Sequence, residues 1–427
     1  MKASRSLPVI MPNVANQRWS CHSCGHCCRT LVIHLSDGEC ERIDRQGWEE
    51  KLGVVPYVRV GRGRVLNKRS DGDCVFLDEN TRCRIHTECG EQSKPLACRV
   101  FPFSVRARRG GWQASLRFDC PSVVSSKGKP IGQHRPWLME LVEVLDHRPP
   151  EADDGALLQR GVHATADEID MVINRFARWL QSSDLTLADR LIGAARITTT
   201  LAGTTLKKVR GPRFATLLDL LFKALPGECA GAPAPPTARQ RGMLRQLVFA
   251  HAEHVMPAGM QAGLLRQLGK RWRQLRNARC FLKGRGRVPQ LPGLTGEATF
   301  ETVESVGSAI DRRHDIEDLL LRYLTARLEG RSVFGDGYYG WPVFDGLAAL
   351  WLSLAAVGWL ARCGAASEGE SSVSVEDIGK ALGMVDRAAT RLPALGTMTE
   401  RARISYLLKD DGLARLIHAY SLPGGTP

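Results

Sequence analysis

Apolar residues recur at three- and four-residue steps through most of the second two thirds of the chain. Ile169, Val172, Ile173, Phe176 and Leu180 set the pattern, which predicts an amphipathic helix. Thr165-Ala-Asp-Glu168 supplies a capping box in front of it. Ser374-Val-Glu-Asp377 and Thr397-Met-Thr-Glu400 are two more helix-start signals. Helical periodicity also covers 184–203, 212–224, 237–254, 257–279, 314–329, 342–363, 375–391 and 399–419. The first 130 residues read differently, with short extended segments broken by glycine. Tyr57 to Val60 and Arg64 to Leu66 flank Gly61-Arg62-Gly63, which predicts a hairpin. Phe103 to Val105 and Trp112 to Leu116 flank Arg109-Gly110-Gly111, which predicts a second.

These patterns predict an α+β protein: a small irregular cysteine-rich metal-binding domain over residues 1–134, then a larger, mostly α-helical domain over 135–427. Linkers are expected near 147–155, 226–236 and 284–296, where Pro, Gly and Ala accumulate. The longest apolar run, Gly346 to Ala361, falls short of the roughly 18–20 residues that span a bilayer. It is expected to be a buried core helix. The first twenty residues lack an apolar stretch of signal-peptide type, so a cytoplasmic location is expected. Disulfides are disfavoured in that compartment, and clustered cysteines there point to metal or redox chemistry.

Charge adds a second contrast. Residues 1–130 hold 22 Lys and Arg against 13 Asp and Glu, about two thirds of the chain's net charge of +14. A basic surface can serve an anionic partner. A local use fits better, because four thiolates on one zinc(II) leave two negative charges for nearby Arg and Lys to offset. Aromatic interleaving is sparse, so nucleic acid is not the favoured partner. Lys270-Arg271-Trp272-Arg273 with Arg276 and Arg279 makes a basic helix face, either solvated or a docking surface for an acidic protein partner.

The candidate chemistry lies in Cys21-x2-Cys24-x2-Cys27-Cys28, followed by Cys74, Cys83, Cys98 and Cys120. Thiolates at two-residue gaps can converge on one soft metal centre. Eight divide arithmetically into two four-thiolate sites, with no pairing implied. Vicinal Cys27 and Cys28 are expected to diverge. Gly25 suits a positive φ that turns backbone N–H groups toward sulfur. His22, His26 and His86 are nearby, with solvated or supporting roles expected. Cys40 and Cys89 are spare if eight is the count. Cys229, Cys280 and Cys363 are expected to be isolated apolar fillers of the helical part. Pro95 and Pro102 stiffen the chain on either side of Cys98. Arg99 can bring charge to that site, and Phe101 and Phe103 can shield it. His251-Ala-Glu-His254 is not the HExxH pattern.

CHSCGHCCR, GDCVFLDENTRCRIH, KPLACRVFPF and DCP, in that order, resemble the YkgJ-type cysteine-cluster family, a zinc- or iron-chelating domain often described as an iron–sulfur protein. Ser122 follows Pro121 where a glycine is more usual. The resemblance implies Cys21, Cys24, Cys27, Cys28, Cys74, Cys83, Cys98 and Cys120 as metal-site residues. It implies an iron–sulfur cluster or, alternatively, zinc. Ile316-Glu-Asp-Leu-Leu-Leu-Arg-Tyr-Leu324 and Tyr338-Tyr-Gly-Trp341-Pro-Val-Phe-Asp-Gly346 are similar to the C-terminal region of FliB-type flagellin lysine N-methylases. That likeness implies S-adenosylmethionine and a lysine-bearing protein substrate. The chain has neither a Gly-rich methyltransferase loop between strand and helix nor the CxxxCxxC spacing of radical S-adenosylmethionine enzymes. The expected function is a metal-binding protein with a structural or electron-transfer centre. The alternatives are a protein-lysine methylase and a structural zinc module for partner binding.

Overall fold

The computed structural model describes residues 8–108, 110–145, 155–228, 231–252, 264–294, 296–308, 313–389 and 392–421. Helices take up 56% of the chain and strands 12%, with the strands gathered toward the N-terminus, which makes the fold α+β. Its apolar residues form two cores of very different size. The smaller is built from Leu31, Ile33, Ile43, Trp48, Leu66, Cys74, Val75, Phe76, Leu77 and Ile85. A three-stranded antiparallel sheet, His34–Leu35, Gly63–Leu66 and Tyr57–Val60, packs with the helices Asp37–Arg45, Trp48–Leu52 and Arg84–Cys89 around it. Trp48 meets Phe76 edge-on at 5.1 Å at its centre.

The larger core takes in the helical region, but it also takes in both flanks of the cysteine-rich region. Val9–Ile10 pairs in parallel with Gly111–Leu116, which pairs antiparallel with Phe103–Arg108. That hairpin lies on the helix Arg313–Glu329: Ser115 donates to the Ala326 carbonyl at 2.9 Å, and Phe118 meets Tyr323 edge-on. The predicted hairpins therefore serve different cores. One supports the small core, and the other joins the large one.

At the centre of the large core runs the helix Val343–Ser367. It is long and apolar enough to cross a membrane, yet 94% of its most apolar 18-residue window is buried by the rest of the protein. The helices Leu187–Gly203, Ala238–Ala252, Val375–Ala388 and Gly412–Tyr420 surround it. Gly358 lets it close on the last of these. A Cβ there would stand 1.6 Å from the Tyr420 carbonyl oxygen. The Tyr338–Gly346 segment serves packing in the same way. Tyr338 and Trp341 are buried ring to ring at 5.3 Å, and Gly346 sits against the Val333 carbonyl.

The periodic segment 399–419 is two helices, Met398–Leu407 and Gly412–Tyr420, rather than one. Asp410 and Asp411 break it with φ of 53° and 56°, and Asp411 pairs with Arg196 at 3.0 Å. Asp tolerates the left-handed conformation, and apolar periodicity alone does not reveal such a break. The basic helix is Leu264–Lys283; residues 253–263 lie outside the described ones, as do Cys229, His254 and nearly all of the 147–155 linker. His251 is buried in the large core.

The capping box at Thr165 forms as predicted, and Glu168 then does more than cap. Its carboxylate takes a two-point pair from Arg210, at 2.8 and 2.5 Å, and the Gly211 N–H at 3.1 Å. Burial alone would raise its pKa. Arg210 and the Thr165 and Gly211 N–H groups outweigh it and hold the carboxyl at about 2. A depressed carboxyl stabilises the fold above its unfolded-state pKa and loses that contribution as pH falls toward the folded value. Glu168→Gln should therefore lower the melting temperature at pH 7, and the gap to the parent should shrink below roughly pH 4. Thermal unfolding across pH 7 to 2.5 checks this, and a gap that does not change with pH would count against it.

Candidate functional site

The eight cysteines singled out in the sequence reach one cavity of about 310 Å³, which opens where the two cores meet. They arrive from four segments. Gly25, at φ 67°, turns the first loop into the short helix His26–Thr30, which carries Cys27 and Cys28. Arg29 folds back to donate to the Cys24 carbonyl at 3.0 Å, and Thr81 donates to the Ser23 carbonyl at 2.6 Å. Cys74 N–H donates to the Cys28 carbonyl at 3.0 Å, and Lys68 reaches the same oxygen. The first loop is thereby fixed to the 68–83 segment. Cys83 starts the helix Arg84–Cys89, Cys98 lies in the helix Leu96–Val100 behind Pro95, and Cys120 starts the turn of helix Pro121–Val124.

Starting a helix puts free backbone N–H groups beside a sulfur. Those of Ile85 and His86 serve Cys83, those of Ser122 and Val123 serve Cys120, and that of Phe76 serves Cys74. Burial still dominates, pushing the Cys74 and Cys120 thiols up to about 11 and Cys98 well up. Contrary to the expected divergence, Cys27 and Cys28 interact directly. Their contact holds the Cys27 thiol below its usual range and pushes Cys28 up.

Cys27, Cys28, Cys74, Cys83 and Cys98 form an interior group in which charge on one is felt by others. Cys21 and Cys24 are exposed, and Cys120 lies beside Trp19 and Asp119. Five of the eight sulfurs thus interact with one another, where the arithmetic division was four and four. Lys94 faces Cys27, Cys83 and Cys98, and Lys68 faces Cys74 and Cys28. These are the local cations that clustered thiolates need. Leu31, Ile33, Leu66 and Phe101 give the cavity apolar walls.

His22, His26 and His86 also line the cavity. His22 Nδ1 hydrogen-bonds with the Ser122 hydroxyl at 3.0 Å. Burial, and then the Arg387 guanidinium, hold the His26 imidazole below its ordinary range. Phe103 does not reach the cavity; it packs behind it against Trp19 at 5.5 Å. Cys40 and Cys89 do not line it, and Cys363 is buried in the central helix. All twelve described cysteines are free thiols. Sequence reasoning missed Lys68 and Trp19 as parts of the site. Trp19, two residues before Cys21, was the more discoverable, since a large ring beside a ligand loop is a natural wall.

The donor set suits a soft cation: eight sulfurs at one cavity, backbone N–H groups beside four of them, and lysines for the charge. Among the described residues, no three or more His, Cys, Asp or Glu side chains stand close enough together to hold a metal ion as placed. Zinc holds thiolates at about 2.3 Å, so binding would draw the sulfurs inward from the cavity walls.

Residues 20–120 match the model of the CxxCxxCC family, described as "Putative zinc- or iron-chelating domain". Two proteins of Methanocaldococcus jannaschii are similar. One, the uncharacterized protein MJ0939, is 30% identical over 93 residues, 22% of this chain and 32% of its own length. The other, the uncharacterized protein MJ0661, is 31% identical over 104 residues, 24% of this chain and 52% of its own. The matched part thus spans about a third and about half of these relatives. No solved structure matches. The comparisons do not show the likeness to FliB-type methylases.

Cys24→Ser and Cys98→Ser should each cost most of the metal held at one end of the cavity, because a hydroxyl keeps the size but ligates soft metals poorly. Cys40→Ser and Cys363→Ser should cost none. Metal content of the four purified variants decides this, and full occupancy in Cys98→Ser would remove it from the ligand set.

Proposed function

We propose that this chain is a cytoplasmic metal-binding protein that holds an iron–sulfur cluster, or zinc in its place, among the eight cysteines, in a structural or electron-transfer role. The observation that carries this reading is the convergence of cysteines from four separated segments on one cavity. A bound iron–sulfur cluster supplies one-electron chemistry, whereas zinc supplies a fixed cross-link. In either case the cysteines hold the metal as thiolates, and Lys68 and Lys94 offset their charge. Trp19, Leu31, Ile33, Leu66 and Phe101 keep water away. With eight cysteines at the cavity, full protein ligation is favoured over an open coordination position.

Anaerobic purification with iron, zinc and acid-labile sulfide analysis tests the reading. Brown protein with sulfide and a visible charge-transfer band supports the cluster. Colourless protein with stoichiometric zinc supports the structural form. Protein without either metal, its thiols intact, would overturn both. Metal removal should also make residues 20–120 more susceptible to a protease than the helical region, because folding energy held in metal–ligand bonds is lost with the metal. Equal resistance after confirmed metal loss would contradict this.

For a partner, we favour an acidic protein segment on the helix Leu264–Lys283. That helix has no Asp or Glu, and its outward side carries Arg273, Arg276, Arg279 and Lys283. Trp272 and Leu275 are 71% and 60% exposed among them. Interleaved apolar and cationic side chains suit an amphipathic acidic helix, which offers both an apolar stripe and carboxylates. A labelled acidic helical peptide should bind with salt sensitivity and lose at least tenfold in affinity in Arg276→Glu/Arg279→Glu. Binding of single-stranded RNA without binding of the peptide would overturn the choice of partner.

A further inference from the structure

The helix Val375–Ala388 belongs to the helical region, yet two of its neighbouring side chains reach two separate segments that carry cysteines of the cavity. Asp386 accepts the Phe118 N–H at 2.7 Å, two residues before Cys120. Arg387 Nη2 lies 3.1 Å from His26 Nε2, between Cys24 and Cys27. Close approach makes both contacts possible. Gly379 and Gly383 face Val124 and the Phe118–Asp119 backbone, and a Cβ on Gly379 would stand 2.8 Å from Val124. Asp386 is itself anchored by Arg327, and Arg387 also faces the buried carboxylate of Asp119, which Arg117 pairs.

The chemistry of the Arg387–His26 contact is fixed by the arginine, which can only donate. His26 Nε2 must therefore accept, so the ring is neutral with its proton on Nδ1. Its Nε2 lone pair is committed to the guanidinium and is not available to a metal. The ring then works as a strut that transmits the position of the helix to the Cys24–Cys27 turn.

We propose that Arg387 is a positioning residue of the metal site: through His26 it presses the Cys24–Cys27 turn against the Asp119–Cys120 segment. The helical region thereby sets how fast metal leaves that end of the cavity. This inference rests on the metal-binding reading above. Residues that orient ligands without touching the metal typically change metal affinity by about 10- to 100-fold when removed.

The test is the rate of metal transfer from the full-length, metal-loaded protein to a chromogenic chelator, with resting metal content and melting temperature measured alongside. Arg387→Met should release metal about tenfold faster or more, and Arg387→Lys should restore part of the difference. His26→Ala should release as fast as Arg387→Met, and the double variant no faster than either, because both remove one contact. An Arg387→Met protein that folds and releases metal at the parent rate would overturn the proposal. So would effects of the two substitutions that multiply. If Arg387→Met does not fold, the rates of His26→Ala with and without Arg387→Lys decide: an unchanged lysine effect in the absence of His26 overturns the strut. A parent protein that binds no metal would instead sink the metal reading itself.

Discussion

Phe101 packs against both hydrophobic cores, and the chain on either side of it commits to one or the other. Before it, Cys98 belongs with the small core. After it, the hairpin Phe103–Leu116 binds to the helix Arg313–Glu329 and carries Cys120 into the large core. The cavity exists because these two commitments meet there. A change that lets the hairpin slip from the large core would separate Cys120 from the other sulfurs without touching any of them. The helical region thus supports the candidate metal site from behind, while the residues that line the cavity all lie between Trp19 and Ser122.

Charge follows the same geometry. The basic excess of the first 130 residues does not spread evenly over a surface. Lys68 and Lys94 turn toward the interior thiols, and Arg29 returns to the loop that carries Cys24. Each cation compensates, at short range, for charge that burial would otherwise forbid. The Cys74 and Cys120 thiols obey the same rule, since burial raises their pKa and favours the protonated form.

The helical region is packed through close backbone approaches. Gly358 and Gly346 on the central helix sit against the Tyr420 and Val333 carbonyls. Side chains there would overpack the core at a cost of about 1–3 kcal/mol or more. Such a core transmits displacement instead of absorbing it. That is the property a positioning helix needs if Arg387 and Asp386 are to hold two loops of the cavity at once.

The sequence alone determined the local structure: the capping box at Thr165, both hairpins, the buried central helix and the positive φ at Gly25. Each depends on neighbours within a few residues, through propensity, periodicity or a turn glycine. The eight cysteines were also legible, since spacing and residue type alone mark candidate soft-metal ligands. Only the tertiary structure decided the rest. Cys27 and Cys28 interact where neighbouring side chains were expected to diverge, and all eight sulfurs share one cavity because of how the two cores join. The 399–419 segment breaks at two left-handed aspartates that periodicity does not register. Arg387 reaches His26 across 361 positions, a proximity no local pattern can encode, because it is set by the packing of glycines on one helix against the backbone and side chains of a distant loop.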